Sequence, residues 1–148
     1  MNNRDKLTEI MIVSFIRQLL SAVHYLHSEN IVHRDIKLSS VLINVDKQGN
    51  VQMQLMAFDN AIQLDYKDQI ITKILPGSEF TAPEVFMSRY TRKIDEYAVG
   101  VLMYYLFSGF AFPFRLSPQN SDKEQFWALM NQDLSFADDV WMNYAHFF

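Results

Sequence analysis

The feature that most constrains the fold is a run of apolar residues between Thr8 and Ser28, in which Ile12, Phe15, Ile16, Leu19, Val23 and Leu26 recur at helical spacing. That spacing gathers them on one stripe of an α-helix and leaves the opposite face polar. Thr8 supplies an N-cap oxygen, and Glu9 puts a negative charge in the first turn, where the helix dipole favours it. Such a stripe is stable only when covered, so the rest of the chain must supply a core. Val41 to Val45 and Val51 to Met56 are short apolar runs on either side of Asp46-Lys47-Gln48-Gly49-Asn50, which predicts a small hairpin with a polar turn. Residues 57–80 show no sustained period and run into Pro76-Gly77, so a long loop is predicted, of the functional or disordered kind. Helical segments are predicted around Thr81 to Ser88, over Asp95 to Ser108 until Gly109 and Pro113 stop it, from Asn120 or Ser121 through Asn131, and from Asp138 or Asp139 onward.

With 148 residues, 49% hydrophobic and 20% charged, the chain fits one globular domain and can bury about 70% of its unfolded surface. A net charge of −4 argues against polyanionic partners, nucleic acid included. The absence of cysteine excludes disulfides, thiolate metal sites and cysteine nucleophiles, and is compatible with an intracellular setting. Met1-Asn2-Asn3-Arg4-Asp5-Lys6 has no apolar run behind its charges, unlike a secretory signal. Tyr97 to Phe107, read as the longest apolar stretch, falls short of the roughly 18 to 20 residues a membrane helix needs. It reads as a helix inside a core, and no membrane insertion is expected.

The chemistry gathers in Ile31-Val32-His33-Arg34-Asp35-Ile36-Lys37-Leu38-Ser39-Ser40, and its neighbours give it weight. Tyr25-Leu26-His27 precedes it; Ala82-Pro83-Glu84 follows a long loop; then come Asp95, Gly100-Val101-Leu102 and Ser108-Gly109. In this order and spacing, the series resembles the C-terminal lobe of a eukaryotic protein kinase over almost the whole chain. The fold it implies is α+β and mainly α-helical, with a small β-hairpin by the catalytic loop. Phe58-x-x-Ala61-Ile62-Gln63-Leu64, Gly77 to Glu84 and Leu134 to Asp139 are most similar to the calmodulin-kinase group, in particular the kinase domains of the giant muscle proteins (titin, twitchin, obscurin) and of Trio and kalirin.

In that family the loop pattern is H-R-D-x-x-x-x-N, where the Asp accepts the substrate hydroxyl proton and the Asn holds magnesium. The resemblance makes Asp35 the base and Lys37 a phosphate-contacting cation, but puts Ser40 at the Asn. It also puts Ala57 at the magnesium-binding Asp of D-F-G, and a methyl group cannot coordinate a hard cation. Asp59, two residues on, would be displaced by about 6 to 7 Å in extended chain. Gly49, Gly77, Gly100 and Gly109 are too scattered for a phosphate-cradling loop. The resemblance therefore implies a partial domain over 1–148, without the nucleotide-binding N-terminal lobe. The expectation drawn from these departures is a pseudokinase lobe, not an enzyme, that binds proteins or acts as a scaffold. It would hold no cofactor, the family's ATP and magnesium included. It would reside in the cytoplasm, with cytoskeletal or sarcomeric association. The alternative is a truncated segment of an active ATP-dependent serine/threonine protein kinase.

Other readings stay open at single residues. Asp35 and Lys37 have a structural alternative, such as a hydrogen bond to Ser78. Arg34, Thr72 and Ser78 are the regulatory candidates: Arg34 would pair with a phosphorylated Thr72, or else is a plain salt-bridged or solvated Arg. His33 is expected to stack with Phe58, Asp95 to accept backbone hydrogen bonds from the catalytic loop, and His24 and His27 to pack without metal. Glu84 resembles a family Glu that pairs with an Arg, here expected beyond Phe148. The aromatic residues Phe110, Phe112, Phe114, Phe126, Trp127, Trp141, Phe147 and Phe148 serve the core or, where exposed, an interaction surface.

Overall fold

The computed structural model describes residues 8–117 and 119–136. Helix α1 (Glu9–Ser28) starts where predicted, with the Thr8 hydroxyl accepting from the Met11 amide at 3.3 Å. Its stripe packs on helix α3 (Lys93–Phe107), where Ala98, Val99, Leu102 and Leu106 complete one core cluster with Ile12, Phe15, Ile16 and Leu19. By length and composition α1 is long and apolar enough to cross a membrane, the one such helix among the described residues. Here its apolar stripe is a core surface.

Strand β1 (Ile31–Val32) pairs antiparallel with β4 (Ile62–Gln63), and β2 (Val41–Val45) with β3 (Val51–Leu55). The β2–β3 hairpin turns on Asp46, whose carboxylate accepts from the Gln48 amide (2.9 Å) and the Asn50 amide and side chain (2.8 Å each). Those bonds, the Asn50 side chain foremost, hold the Asp46 carboxyl below its ordinary value. The hairpin is fastened to α1 by Gln18, which donates to the Val51 carbonyl at 2.7 Å and accepts from the Met53 amide at 3.1 Å. Although apolar, β2 is largely exposed, Leu42, Ile43 and Val45 included.

The stretch read as an unbroken loop after residue 57 contains a 3₁₀ turn (Phe58–Asn60), β4 and a bridge from Ile71 to Tyr90. These pieces are too short to carry a period. Helix α2 (Pro83–Phe86) is shorter than the helical segment predicted there, and α3 begins at Lys93, two residues before Asp95. Helix α4 (Asp122–Asn131) opens on a capping box in which Ser121 and Glu124 bond reciprocally. The fold is thus α+β and mainly helical. The predicted helix after Asp138, like Trp141, Phe147 and Phe148, lies outside the described residues.

Candidate active site

In the segment after β1, Arg34 has a left-handed backbone (φ 67°). Buried amides there need acceptors, and Asp95 of α3 supplies them. Its carboxylate, 1% exposed, accepts the His33 amide at 2.9 Å on Oδ2 and the Arg34 amide at 2.8 Å on Oδ1. His27 Nε2 lies 2.9 Å from the same Oδ2, and Arg92 donates to the His27 carbonyl at 3.2 Å. Helix α1, the loop and α3 therefore meet on one carboxylate. The acceptor role expected of Asp95 is met, while His27, read as ordinary packing, is its buried partner. His24 is exposed.

His33 is fully buried. Its Nε2 donates to the Met56 carbonyl (2.9 Å), which leaves Nδ1 to accept the Asp35 amide (3.3 Å), and its ring lies 4.8 Å from that of Phe58. With both nitrogens engaged, His33 orients the loop and the expected stack with Phe58 is present.

From this base Asp35 reaches a cavity of about 230 Å³, walled also by Lys37, Asn60, Ser78, Phe80 and Thr81. Both carboxylate oxygens lie 2.9 Å from Lys37 Nζ, and Asn60 donates to Oδ2 at 3.3 Å. The carboxylate is 26% exposed and Lys37 36%, so each can still meet a ligand. A carboxylate held by two donors at a cavity can take a proton from a hydroxyl, and the ammonium beside it can neutralise an incoming anion. Asn60 had no signal in the sequence reading, because its contact depends on the 3₁₀ turn.

Ser78 lines the cavity without bonding Asp35, contrary to that structural alternative. Its amide donates to Thr81 Oγ1 at 2.8 Å, and the two hydroxyls lie 3.2 Å apart. A local turn satisfies it first. The preceding Gly77 is required by close approach: a Cβ there would lie 2.7 Å from Phe86 Cε1. Phe80 continues the wall into an aromatic group, its ring 5.3 Å from Phe112 and 6.4 Å from Tyr105. Phe110 and Trp127 are more than half exposed, as the aromatic count suggested for some.

Arg34 is buried, donating from Nε to the Asn60 carbonyl (2.6 Å) and from Nη1 to Tyr90 Oη (3.4 Å). Nη2 is buried without a hydrogen-bond partner among the described residues. Tyr90 Oη in turn donates to the Lys73 carbonyl at 2.6 Å, which ties Arg34 to the segment carrying the exposed Thr72.

Magnesium does not fit the two positions the resemblance assigns to it. Ser40 is fully buried; its hydroxyl accepts the Lys37 amide at 2.9 Å and donates to the Lys37 carbonyl at 2.8 Å. Ala57 offers no oxygen, although its backbone is left-handed (φ 62°, ψ 59°), a conformation Asp or Asn adopts more readily than Ala. Asp59 is exposed in the 3₁₀ turn, so the extended-chain displacement assumed for it does not apply. Among the described residues no three His, Asp or Glu side chains group as a metal site.

Beside the cavity wall, burial first and the Glu84 charge second push the Tyr97 phenol up to about 12 from 10.0. A phenol whose folded value is raised stabilises the fold below its unfolded value and loses that contribution as pH rises through the folded one. Tyr97→Phe is therefore expected to flatten the fall in melting temperature between pH 10 and about 12. An unchanged alkaline slope would contradict this.

A family model for the protein kinase domain matches residues 1–145. Serine/threonine-protein kinase CG17528 of Drosophila melanogaster is 35% identical over 127 residues, which cover 85% of this chain and 16% of that protein. Serine/threonine-protein kinase GL21140 of Drosophila persimilis is 37% identical over 128 residues, with the same shares. Serine/threonine-protein kinase zyg-8 of Caenorhabditis elegans is 34% identical over 121 residues, 81% of this chain and 15% of that protein. The chain thus spans about 16% of the length of such relatives. These findings overturn the expectation of a non-enzyme: the family match runs through Ser40 and Ala57, and the relatives bear the names of kinases. Two substituted metal positions say what two side chains cannot do; they leave Asp35 and Lys37 side by side at the cavity.

Proposed function

Because this chain belongs to the protein kinase domain family, we propose that it is the catalytic-loop segment of an ATP-dependent serine/threonine protein kinase. The observation that carries the reading is the Asp35 carboxylate, held at the cavity by Lys37 at 2.9 Å and Asn60 at 3.3 Å. Asp35 accepts the proton of an acceptor hydroxyl, and Lys37 faces the phosphoryl group being transferred. The acceptor is a serine or threonine of a protein partner, as the relatives' names suggest. Incubating the full-length protein with radiolabelled ATP and a peptide library is expected to label Ser and Thr peptides. Label confined to Tyr peptides would contradict the acceptor class.

Within the family, the stretches Phe58 to Leu64 and Gly77 to Glu84 support a place in the calmodulin-kinase group, and the described segment corresponds to a C-terminal lobe. The open Nη2 of Arg34 supports a regulatory role, in which phosphate on Thr72 supplies the missing acceptor. Phosphatase treatment of the full-length protein is then expected to slow transfer, and Thr72→Ala to remove that sensitivity. A rate untouched by phosphatase would remove this role.

A further inference from the structure

We propose that this chain engages its nucleotide without itself holding a divalent cation, so that nucleotide affinity is indifferent to magnesium; the inference rests on the kinase reading above. Magnesium requires oxygen ligands in near-octahedral geometry at about 2.0 to 2.1 Å and is commonly held by one or two carboxylates beside the nucleotide phosphates. Four side chains bear on that requirement: Asp59 is exposed on its 3₁₀ turn and does not line the cavity, and the other three do not meet it. The Ser40 hydroxyl is buried and spends both its hydrogen-bonding roles on Lys37. Ala57 presents a methyl group. The Asp35 carboxylate, partly exposed, has the Lys37 ammonium on both oxygens and Asn60 on one, so it could hold a metal only by giving up its cation. What faces the cavity is a cation, Lys37, whose charge does part of the neutralising that a metal would supply.

The loss lies in the side chain and not in the backbone. Residue 57 keeps a left-handed conformation that suits Asp and strains Ala. A single substitution, Ala57→Asp, should therefore enter without distorting the loop and bring magnesium dependence with it. Ser40→Asn is a poorer probe, since position 40 is fully buried and already bonded.

Titration calorimetry of the full-length protein with ATP, in chelator and in magnesium, tests this. The dissociation constants are expected to agree within about twofold, whereas in Ala57→Asp magnesium is expected to tighten binding by about tenfold or more. Electron paramagnetic resonance with manganese is expected to show no ion bound to the protein in the absence of nucleotide. Tenfold tightening by magnesium in the unsubstituted protein, protein-bound manganese without nucleotide, or no gain in Ala57→Asp would each overturn the inference and leave the kinase reading standing. ATP binding in neither condition would overturn both.

Discussion

Asp95→Ala is expected to cost the full-length protein about 3 to 5 kcal/mol of folding stability, a cost typical of breaking a buried charged network. The carboxylate is 1% exposed and serves three donors on two other elements. Removing it orphans the His33 and Arg34 amides, each at about 1 to 3 kcal/mol when buried and unpaired. It also strands His27 and leaves the left-handed backbone at Arg34 held only through the Arg34 side chain. Domains are stable by only about 5 to 15 kcal/mol, so this single change spends much of the margin. Urea denaturation should show the midpoint fall, with Asp95→Asn, which keeps one acceptor oxygen, falling less. A loss below about 1 kcal/mol for the alanine variant, the worth of one ordinary hydrogen bond, would mean that Asp95 does not organise the loop.

The effect reaches function through geometry. Asp35 takes its position from a loop whose amides Asp95 fixes and whose base His33 locks through both ring nitrogens. A displacement of the order of 1 Å in a catalytic group costs about 10² in rate, so an Asp95 variant that still folds should also be slow.

The parts of this arrangement legible in the sequence are those written in local pattern. The α1 stripe, the Thr8 and Ser121 caps and the polar hairpin turn each depend on residues a few positions apart, and each is present. At the site, Asp35, Lys37, the Asp95 acceptor and the His33–Phe58 stack were legible, through motif spacing and the family resemblance it carries. Other contacts made across the fold left no such mark. The pairing of His27 with Asp95 spans 68 residues, and the Gln18 clamp on Met53 spans 35. Ser40 illustrates the limit at one atom: its identity was plain, but only the fold shows the hydroxyl turned inward onto Lys37. At β2 the apolar run forms the expected hairpin strand, yet it lies largely on the surface, which composition does not reveal. The larger misjudgement was to let Ser40 and Ala57 decide whether the chain is an enzyme. The retained pair at the cavity and the kinase relatives carry more weight.

The second large effect concerns that pair. Asp35→Asn preserves size and can keep one bond to Lys37, yet it removes the carboxylate that would accept a proton. Loss of a general base typically lowers the rate by about 10² to 10⁴. Stability should change little, because the side chain is partly exposed and an Asn oxygen can still accept from Lys37 or Asn60. The most direct test of the account is therefore the rate of γ-phosphoryl transfer from radiolabelled ATP to a Ser/Thr peptide by the full-length protein. The unsubstituted protein and Asp35→Asn should be compared after circular dichroism has shown them equally folded. The account predicts measurable transfer that falls by about 10² to 10⁴ in the variant. Equal rates in the two proteins, or no transfer by the unsubstituted protein, would contradict it.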